Sequence, residues 1–358
     1  MSLVGVVKTS PKTFQEDVER LFEVTNAFSI LDPALRTIVK LNLSWSKYFP
    51  SCSTNPYTFD AVLSALLKQG YEAAKLLSVE NKTVVTDIEK GLQANRWKPI
   101  LKKHAAPFLP LTEAKWTEVK LKRKTIVLER MFGPIKVPEV VIGANVLQMP
   151  TVKTHGHSMM TGALKNAFGL LLRTVRHHSH PVIHEILADL LLVQKELCKG
   201  LYTLTDGTVI GDGAGPRTMI PREGNILIGS SDLVAADAIQ CHIMGINPAR
   251  VPKLTLSQKR NLGTADLAKI EVTGDYNAVE KLPVIKTSTG RSPVIYFDKK
   301  LRSSFFAPLF HTPLFHIPIF ASFFYHDVVW YPLIGKGYIN DFFANSAWGK
   351  MVQDYSVS

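Results

Sequence analysis

The sequence predicts an α/β protein, with mainly parallel twisted sheets, flanking helices, two lobes and an aromatic, proline-rich C-terminal extension. Three observations predict it. Short apolar runs alternate with amphipathic stretches in a βαβαβ rhythm through the N-terminal third. The segment from Val141 to Glu185 repeats the strand, loop and helix succession with an unusual load of histidine. Beyond Asp298 the composition changes to aromatic residues and regularly spaced prolines. These shifts divide the chain into an N-terminal α/β lobe (1–135), a central α/β lobe (136–298) and the extension (299–358).

In chain order, SLVGVVKT reads as a first strand, and Thr13 to Phe28 has helical spacing at Val18, Leu21 and Phe22. RTIVKLNLSW is a second strand that turns polar at Lys40, Asn42 and Ser44, where it leaves the sheet. Thr58 is placed to cap the helix FDAVLSALLKQ, which Gly70 ends. AKLLSV gives a third strand, and Asp87 to Ile100 a partly helical surface segment. Alternation around Trp116 to Leu121 and Thr125 to Leu128 predicts an antiparallel edge or an arm linking the lobes. VIGANVLQM is a buried strand, TVKTHGHS the loop leaving it, and a helix is expected from near Ser158 or Thr161. Pro181 suits the first turn of the next helix, and LYTLTDG is a strand ending in Asp206 and Gly207. The glycines at 211, 213 and 215 lack the closing Lys and Ser or Thr of a phosphate loop, so they read as a turn. NILIGSSDLVAADAIQ is a strand, a Ser230/Ser231/Asp232 cap and a helix that ends at Gly245.

Composition narrows the function. With 46% hydrophobic and 20% charged residues the chain is globular. A net charge of +12 favours anionic partners, but no nucleic-acid recognition motif accompanies it, so no nucleic acid is expected. Cys52, Cys198 and Cys241 form no CxxC pair, which argues against an iron–sulfur cluster, and their odd count with no secretory apolar stretch at the N-terminus points to a reducing, cytoplasmic setting.

The sharper chemistry lies in Val141 to Glu185, which holds six of the eleven histidines and no carboxylate before Glu185. A strand-to-helix turn of an open α/β sheet is where ligands bind, and a helix N-terminus attracts anions. Lys153, His155 and His157 sit on the turn, with Lys165 and Asn166 one turn into the helix and Gly162 permitting close approach. His155, Lys165, Lys153, His157 and Asp206 are the candidate catalytic residues. Lys40, Asn42, Thr161, Gly162, Asn166 and Asp232 are the candidate cofactor-binding residues, although Asp232 also reads as a helix cap. His180 and His184, at i and i+4, are candidate ligands of a divalent transition metal, without an HExxH signature.

The succession MPTVKTHGHSMMTGALKNAFGLL, RHHSHPVIHEILADL, YTLTDGTVIGDGAGP and ILIGSSDLVAADAIQCHIMGINP resembles the family catalogued as domain of unknown function 362. KLNLSW and the FDAVLSALLKQGY helix look like its N-terminal part, so the likeness runs over about residues 35–275. Some members carry ferredoxin-like cysteine runs, which this chain lacks. More distantly, the ten-residue spacing of His155 and Lys165 is similar to the loop of nickel-pincer lactate racemases. That resemblance implies a lysine holding a phosphate-bearing cofactor and histidines that ligate metal or move protons.

From Ser303 to His326 there is no Asp, Glu, Lys or Arg, and APLF, TPLF and IPIF recur with prolines at 308, 313 and 318. The length suits a bilayer, but prolines at that interval break a single helix. A strap packed over the pocket mouth is the preferred reading, ahead of shallow membrane-surface insertion or a homo-oligomer contact. Tyr325, His326 and Asp327 are a second polar contribution to the site. Together these features point to a metabolic enzyme. Its expected chemistry is proton transfer, isomerisation, cyclisation or a related redox step on a small, partly apolar metabolite with an anionic or carbonyl head. A non-catalytic binder of a phosphorylated or metal cofactor is the alternative, and a basic membrane-surface or nucleic-acid-associated protein a third.

Overall fold

β-branched and aliphatic runs, buried on both sides, set the framework. A computed structural model describes residues 1–83, 85–279, 293–302, 304–305 and 316–355. The strands are β1 (Ser2–Lys8), β2 (Thr37–Lys40), β3 (Leu76–Glu80), β4 (Phe108–Pro110), β5 (Trp116–Glu118), β6 (Lys136–Pro138), β7 (Asn145–Gln148), β8 (Thr151–His155), β9 (Met159–Met160), β10 (Leu201–Ala214), β11 (Thr218–Ser230) and β12 (Ile270–Gly274). Ten of them form one sheet in the order β12-β1-β11-β10-β7-β2-β3-β4, with β8 beside β10 and β9 beside β8. The path from β10 to β4 is parallel throughout, as the continuous burial of β2 and β7 requires. β11 is antiparallel to both β10 and β1. β5 falls where a strand was expected, but it pairs antiparallel with β6, apart from the main sheet, and not with Thr125 to Leu128, which forms no strand.

Helices cover both faces. They are α1 (Phe14–Val24), α2 (Ala27–Ile30), α3 (Pro56–Lys68), α4 (Ile88–Ala94), α5 (Trp97–Lys103), α6 (Leu128–Phe132), α7 (Ala163–Leu171), α8 (Ile183–Leu197), α9 (Leu233–Ile243), α10 (Pro252–Lys259), α11 (Tyr276–Val279), α12 (Pro293–Arg302), α13 (His316–Phe323), α14 (Lys336–Asn345) and α15 (Ala347–Gln353). One core joins α1, α3 and α5 to the sheet and is completed by Trp348 of α15. On the other side, α7 and α8 pack their leucines over Ile38, Val79 and Val146. A third cluster gathers α9 and α10 around Val4, Val6 and Ile228.

The mixed α/β architecture with a mostly parallel sheet matches the sequence expectation, and the differences are local. The boundary expected at 135/136 does not divide the sheet, because β7 pairs directly with β2 of the N-terminal region. TVKTH is a strand and not a loop, since β10 runs on past Asp206 and offers its edge to it. The same extension takes Gly211 and Gly213 into an antiparallel hairpin with β11, and only the turn at Gly215 and Pro216 remains irregular. Thr58 lies inside α3, which starts at Pro56, and its hydroxyl goes to Asp206 at 2.6 Å instead of a helix end. In the extension, residues 306–315, with Pro308 and Pro313, lie outside the described residues. From His316 to Asn345 the chain is helical throughout, with a π-helical stretch at Phe324–Gly335 between α13 and α14. Pro318 is accommodated in the first turn of α13, where its missing N–H has no helical partner to lose.

Candidate functional site

The carboxyl ends of β2, β3 and β7 are level in register, and they deliver Lys40, Glu80 and Gln148 to one edge of the sheet. A cavity of about 520 Å³ opens there, the place where parallel sheets bind ligands. Its floor includes Lys40, Asn42, His155, His157, Thr161, Gly162, Lys165, Asn166 and His180. Nine predicted site residues, spread over 140 positions of sequence, therefore meet in one concavity. The opposite wall is apolar and comes from the C-terminal helices, through Pro293, Val294, Phe297, Leu301, Pro318 and Ile319.

Lys40 is buried and its Nζ pairs with Glu80 Oε1 at 2.8 Å. Burial lowers the Lys40 pKa, and Glu80 opposes that effect. Glu80 has little acceptor capacity left, because the amides of Leu43 and Asn81 also donate to it, each at 2.8 Å. Asn166 donates to the Lys40 carbonyl at 3.1 Å and to Gln148 Oε1 at 2.9 Å, so it stitches α7 to β2 and β7. Lys153 is fully buried just below the floor, where it donates to Asn42 Oδ1 at 2.6 Å, to the Cys52 carbonyl at 3.0 Å and to Thr151 Oγ1. Without a carboxylate, burial brings its pKa down to about 8. Its contacts fix the 42–52 loop and make it a positioning group.

Lys165 is different. Among the described residues no carboxylate pairs with it, and its ammonium sits over the Phe168 ring, 4.2 Å from the centroid. Burial, then repulsion from Arg176, Lys253, Lys153 and Lys40, depresses its pKa to about 7. His155 accepts the amides of His157 and Ser158 on Nδ1, at 3.1 and 3.3 Å, which leaves the ring proton on Nε2. Burial and the neighbouring cations hold its pKa well below the usual value, so it is a neutral donor. His157 and His180 are stacked with centroids 4.4 Å apart and planes within 2°.

Two arginines and a histidine complete the lining. Arg176 and Arg217 are both nearly buried, and burial lowers the pKa of each to about 10. Arg217 donates to Ser322 Oγ at 2.9 Å, while its Nη1 has no hydrogen-bond partner among the described residues and stands 3.9 Å from Asp327. His326 donates from Nδ1 to the Ser322 carbonyl at 2.6 Å, and burial pushes its pKa down to about 3. Glu80 is the one carboxylate among the described lining residues, and Lys40 already neutralises it. The cavity is thus strongly electropositive on one side and apolar on the other.

Several expectations are corrected. The N-terminus of α7 is not open to a ligand anion. Asp237 of α9 occupies it, accepting from the amides of Ala163 at 2.7 Å and Leu164 at 3.4 Å, and it is balanced by Lys253 at 3.2 Å. Burial raises the Asp237 pKa, and Lys253 opposes the rise. Gly162 is needed for this cap and not for cofactor approach, because a Cβ there would lie 2.2 Å from Asp237 Oδ1. Asp206 is outside the cavity, with its oxygens taken by Asn55, Thr58 and Thr208, so it joins α3 to β10. Asp232 caps α9 through Val234 and Ala235 and also holds Ser2 and Thr264, away from the site. His180 faces the cavity, whereas His184 accepts the Lys253 amide at 3.2 Å, so the two do not share a site. Nor can the stacked His157 and His180 take up one ion, since lone pairs in parallel ring planes do not converge. Among the described residues no group of three His, Cys, Asp or Glu side chains is placed to hold a metal. The residue set therefore fits an organic anion better than a metal-bearing cofactor.

Arg176 and Arg217 were missed by sequence reasoning. Arg176 lies inside the histidine-rich stretch, where the histidines drew the attention, and nothing local marks Arg217, which the β10–β11 turn brings in from afar.

Fold and site together define an α/β protein with a cationic cavity at the carboxyl edge of a parallel sheet. Residues 37–242, more than half of the 358, match the family described as Domain of unknown function (DUF362), and the chain belongs to that family. A thylakoid-associated protein of Synechocystis is 24% identical over 135 residues, 37% of this chain and 42% of the relative. This chain thus aligns with less than half of that relative's length. A crystal structure of a Thermotoga maritima protein covers 70% of this chain and 59% of its own, at 12% identity and a TM-score of 0.39.

Proposed function

We propose that the cavity is the active site of an enzyme that moves a proton on a small, partly apolar organic anion, in an isomerase- or lyase-type reaction. One observation carries this reading: among the described residues Lys165 has no carboxylate partner, its pKa is brought down to about 7, and it lines a cavity shared with apolar residues of the C-terminal helices. Arg176 and Arg217 suit a carboxylate or phosphate head, and the Nε2–H of His155 suits a developing oxyanion. The neutral Lys165 amine is the base and its ammonium the acid that returns the proton. Bound anion raises the Lys165 pKa, so ligand and proton bind together above neutrality. The three free cysteines support a reducing, cytoplasmic location. The Synechocystis relative's description adds nearness to a membrane and nothing about chemistry.

The test is α-proton exchange. Arylalkyl and alkyl 2-oxo acids, which carry an exchangeable C–H beside the ketone, are incubated with the protein in deuterated water and followed by NMR. At substrate concentrations well below saturation, where the free enzyme sets the profile, exchange is expected to rise with pH through about 7, and it should be lost in Lys165→Met. Binding is expected to weaken at least about tenfold in Arg217→Met, the loss of one charged hydrogen-bond pair. Equal exchange by wild type and Lys165→Met, or equal affinity for anionic and neutral analogues, would overturn the assignment.

A further inference from the structure

The helix running from Ile317 to Asn345 carries its apolar residues on the wrong side for a soluble protein. Ile319, Ser322, His326 and Trp330, at spacings of three, four and four, face inward as cavity wall or packed core. Ile317, Phe320, Phe324 and Val328 repeat the same spacing on the outer side, 65%, 66%, 49% and 47% exposed. Among the described residues, every exposed large apolar side chain except Met1, Ile126 and Ile142 lies between Tyr296 and Ile334. The concentration forms one face, because α12 packs beside α13 and also exposes Tyr296 and Phe297.

This helix is long and apolar enough to cross a bilayer, but its inner side is committed to the protein. Trp330 packs on Trp45 and Phe49, and Asp327 accepts from the Trp45 indole at 3.1 Å. Asp327 is the only charged residue from Ile317 to Gly335, and it points inward. An uncharged face of Phe, Ile and Val on a chain of net charge +12 is what an interfacial helix presents to anionic lipid. The cavity settles the choice of occupant. Phe297, Leu301 and Ile319 line it while their neighbours Tyr296 and Phe320 form the outer face, so the mouth opens within that face. A second copy seated there would seal the mouth, whereas a bilayer would supply it.

We propose that the outer face of α12, α13 and the π-helical stretch seats the protein on an anionic bilayer surface, and that the cavity draws an acid-headed amphiphile directly from the lipid. The uptake half rests on the function proposed above; the docking half does not.

Full-length protein is sedimented with phosphatidylcholine vesicles, with and without phosphatidylglycerol, beside the combined variant Phe320→Ser, Phe324→Ser, Val328→Ser. Wild type is expected to pellet with the anionic vesicles, less so in high salt. The triple variant should partition at least about tenfold more weakly. Hexanoate binding, which needs no membrane, should be unchanged in that variant. Lys165→Met should keep full vesicle binding, so a failure of the site chemistry and a failure of docking are read separately. Equal pelleting of wild type and triple variant overturns the proposal. So does a wild-type dimer that ignores vesicles and dissociates in the triple variant, which would assign the face to a second copy.

Discussion

Lys165 concentrates the tension of the site in one side chain. Its proton is held in the unfolded chain up to a pKa near 10.5, but in the folded protein only up to about 7. Between those values the unfolded state binds the extra proton, so stability attributable to this residue rises with pH across the window. Below about 7 both states are charged and the full penalty is present. Lys165→Met is therefore expected to stabilise the protein by roughly 1–2 kcal/mol near pH 6, a value discounted for contact with cavity water, and by much less near pH 10. Urea denaturation of both proteins at the two values checks this; a constant difference would show that the penalty is not one of charge. Such a gain on losing a polar residue is the usual mark of a group kept for function. The convergence of the central segment on the cavity was legible because chemistry and clustering coincide at His155, Lys165 and Asn166. Arg217 was not, because its role comes only from the turn that carries it across the sheet.

At the scale of elements, the join between β8 and α7 shows what sequence reasoning can and cannot reach. A glycine before a helix correctly signalled a special backbone, and Gly162 has φ of 126°. What it could not signal is the carboxylate brought from 75 residues away to fill the space, so a charged cap was mistaken for an open anion cradle. Gly162→Ala is expected to cost about 3 kcal/mol or more, combining backbone strain with displacement of Asp237 from Lys253. Thermal unfolding measures it, and a loss under 1 kcal/mol would mean that the cap is easily rearranged. The reading of TVKTH as loop failed for a related reason. Strand length depends on whether a partner edge exists, and β10 supplies that edge far past the residue where its own apolar pattern weakens.

At the scale of the whole molecule, the α/β class and most strand positions follow from periodicity, while the single sheet does not. Pairing of β7 with β2 and of β1 with β11 and β12 is a choice among edges that no local pattern encodes. The same holds for α15. Trp348 is buried in the core, edge-on to Phe14 at 5.3 Å, with its indole donating to Asn225 at 2.6 Å. Trp348→Ala is expected to lose about 3–5 kcal/mol, in a segment whose place in the core no local pattern announces. Denaturant titration would show it, and a change below 1 kcal/mol would mean that α15 is dispensable to the core.

The place of β1 carries a consequence for biosynthesis. β1 must stand between β11 and β12, whose partners in register lie more than 200 residues further along the chain, at 226–229 and 270–274. Until those residues are made its two edges lack these partners, so an apolar strand waits for the chain that will flank it. Refolding should accordingly be slow and concentration-sensitive, and a holdase that shelters β1 should raise the yield of soluble protein.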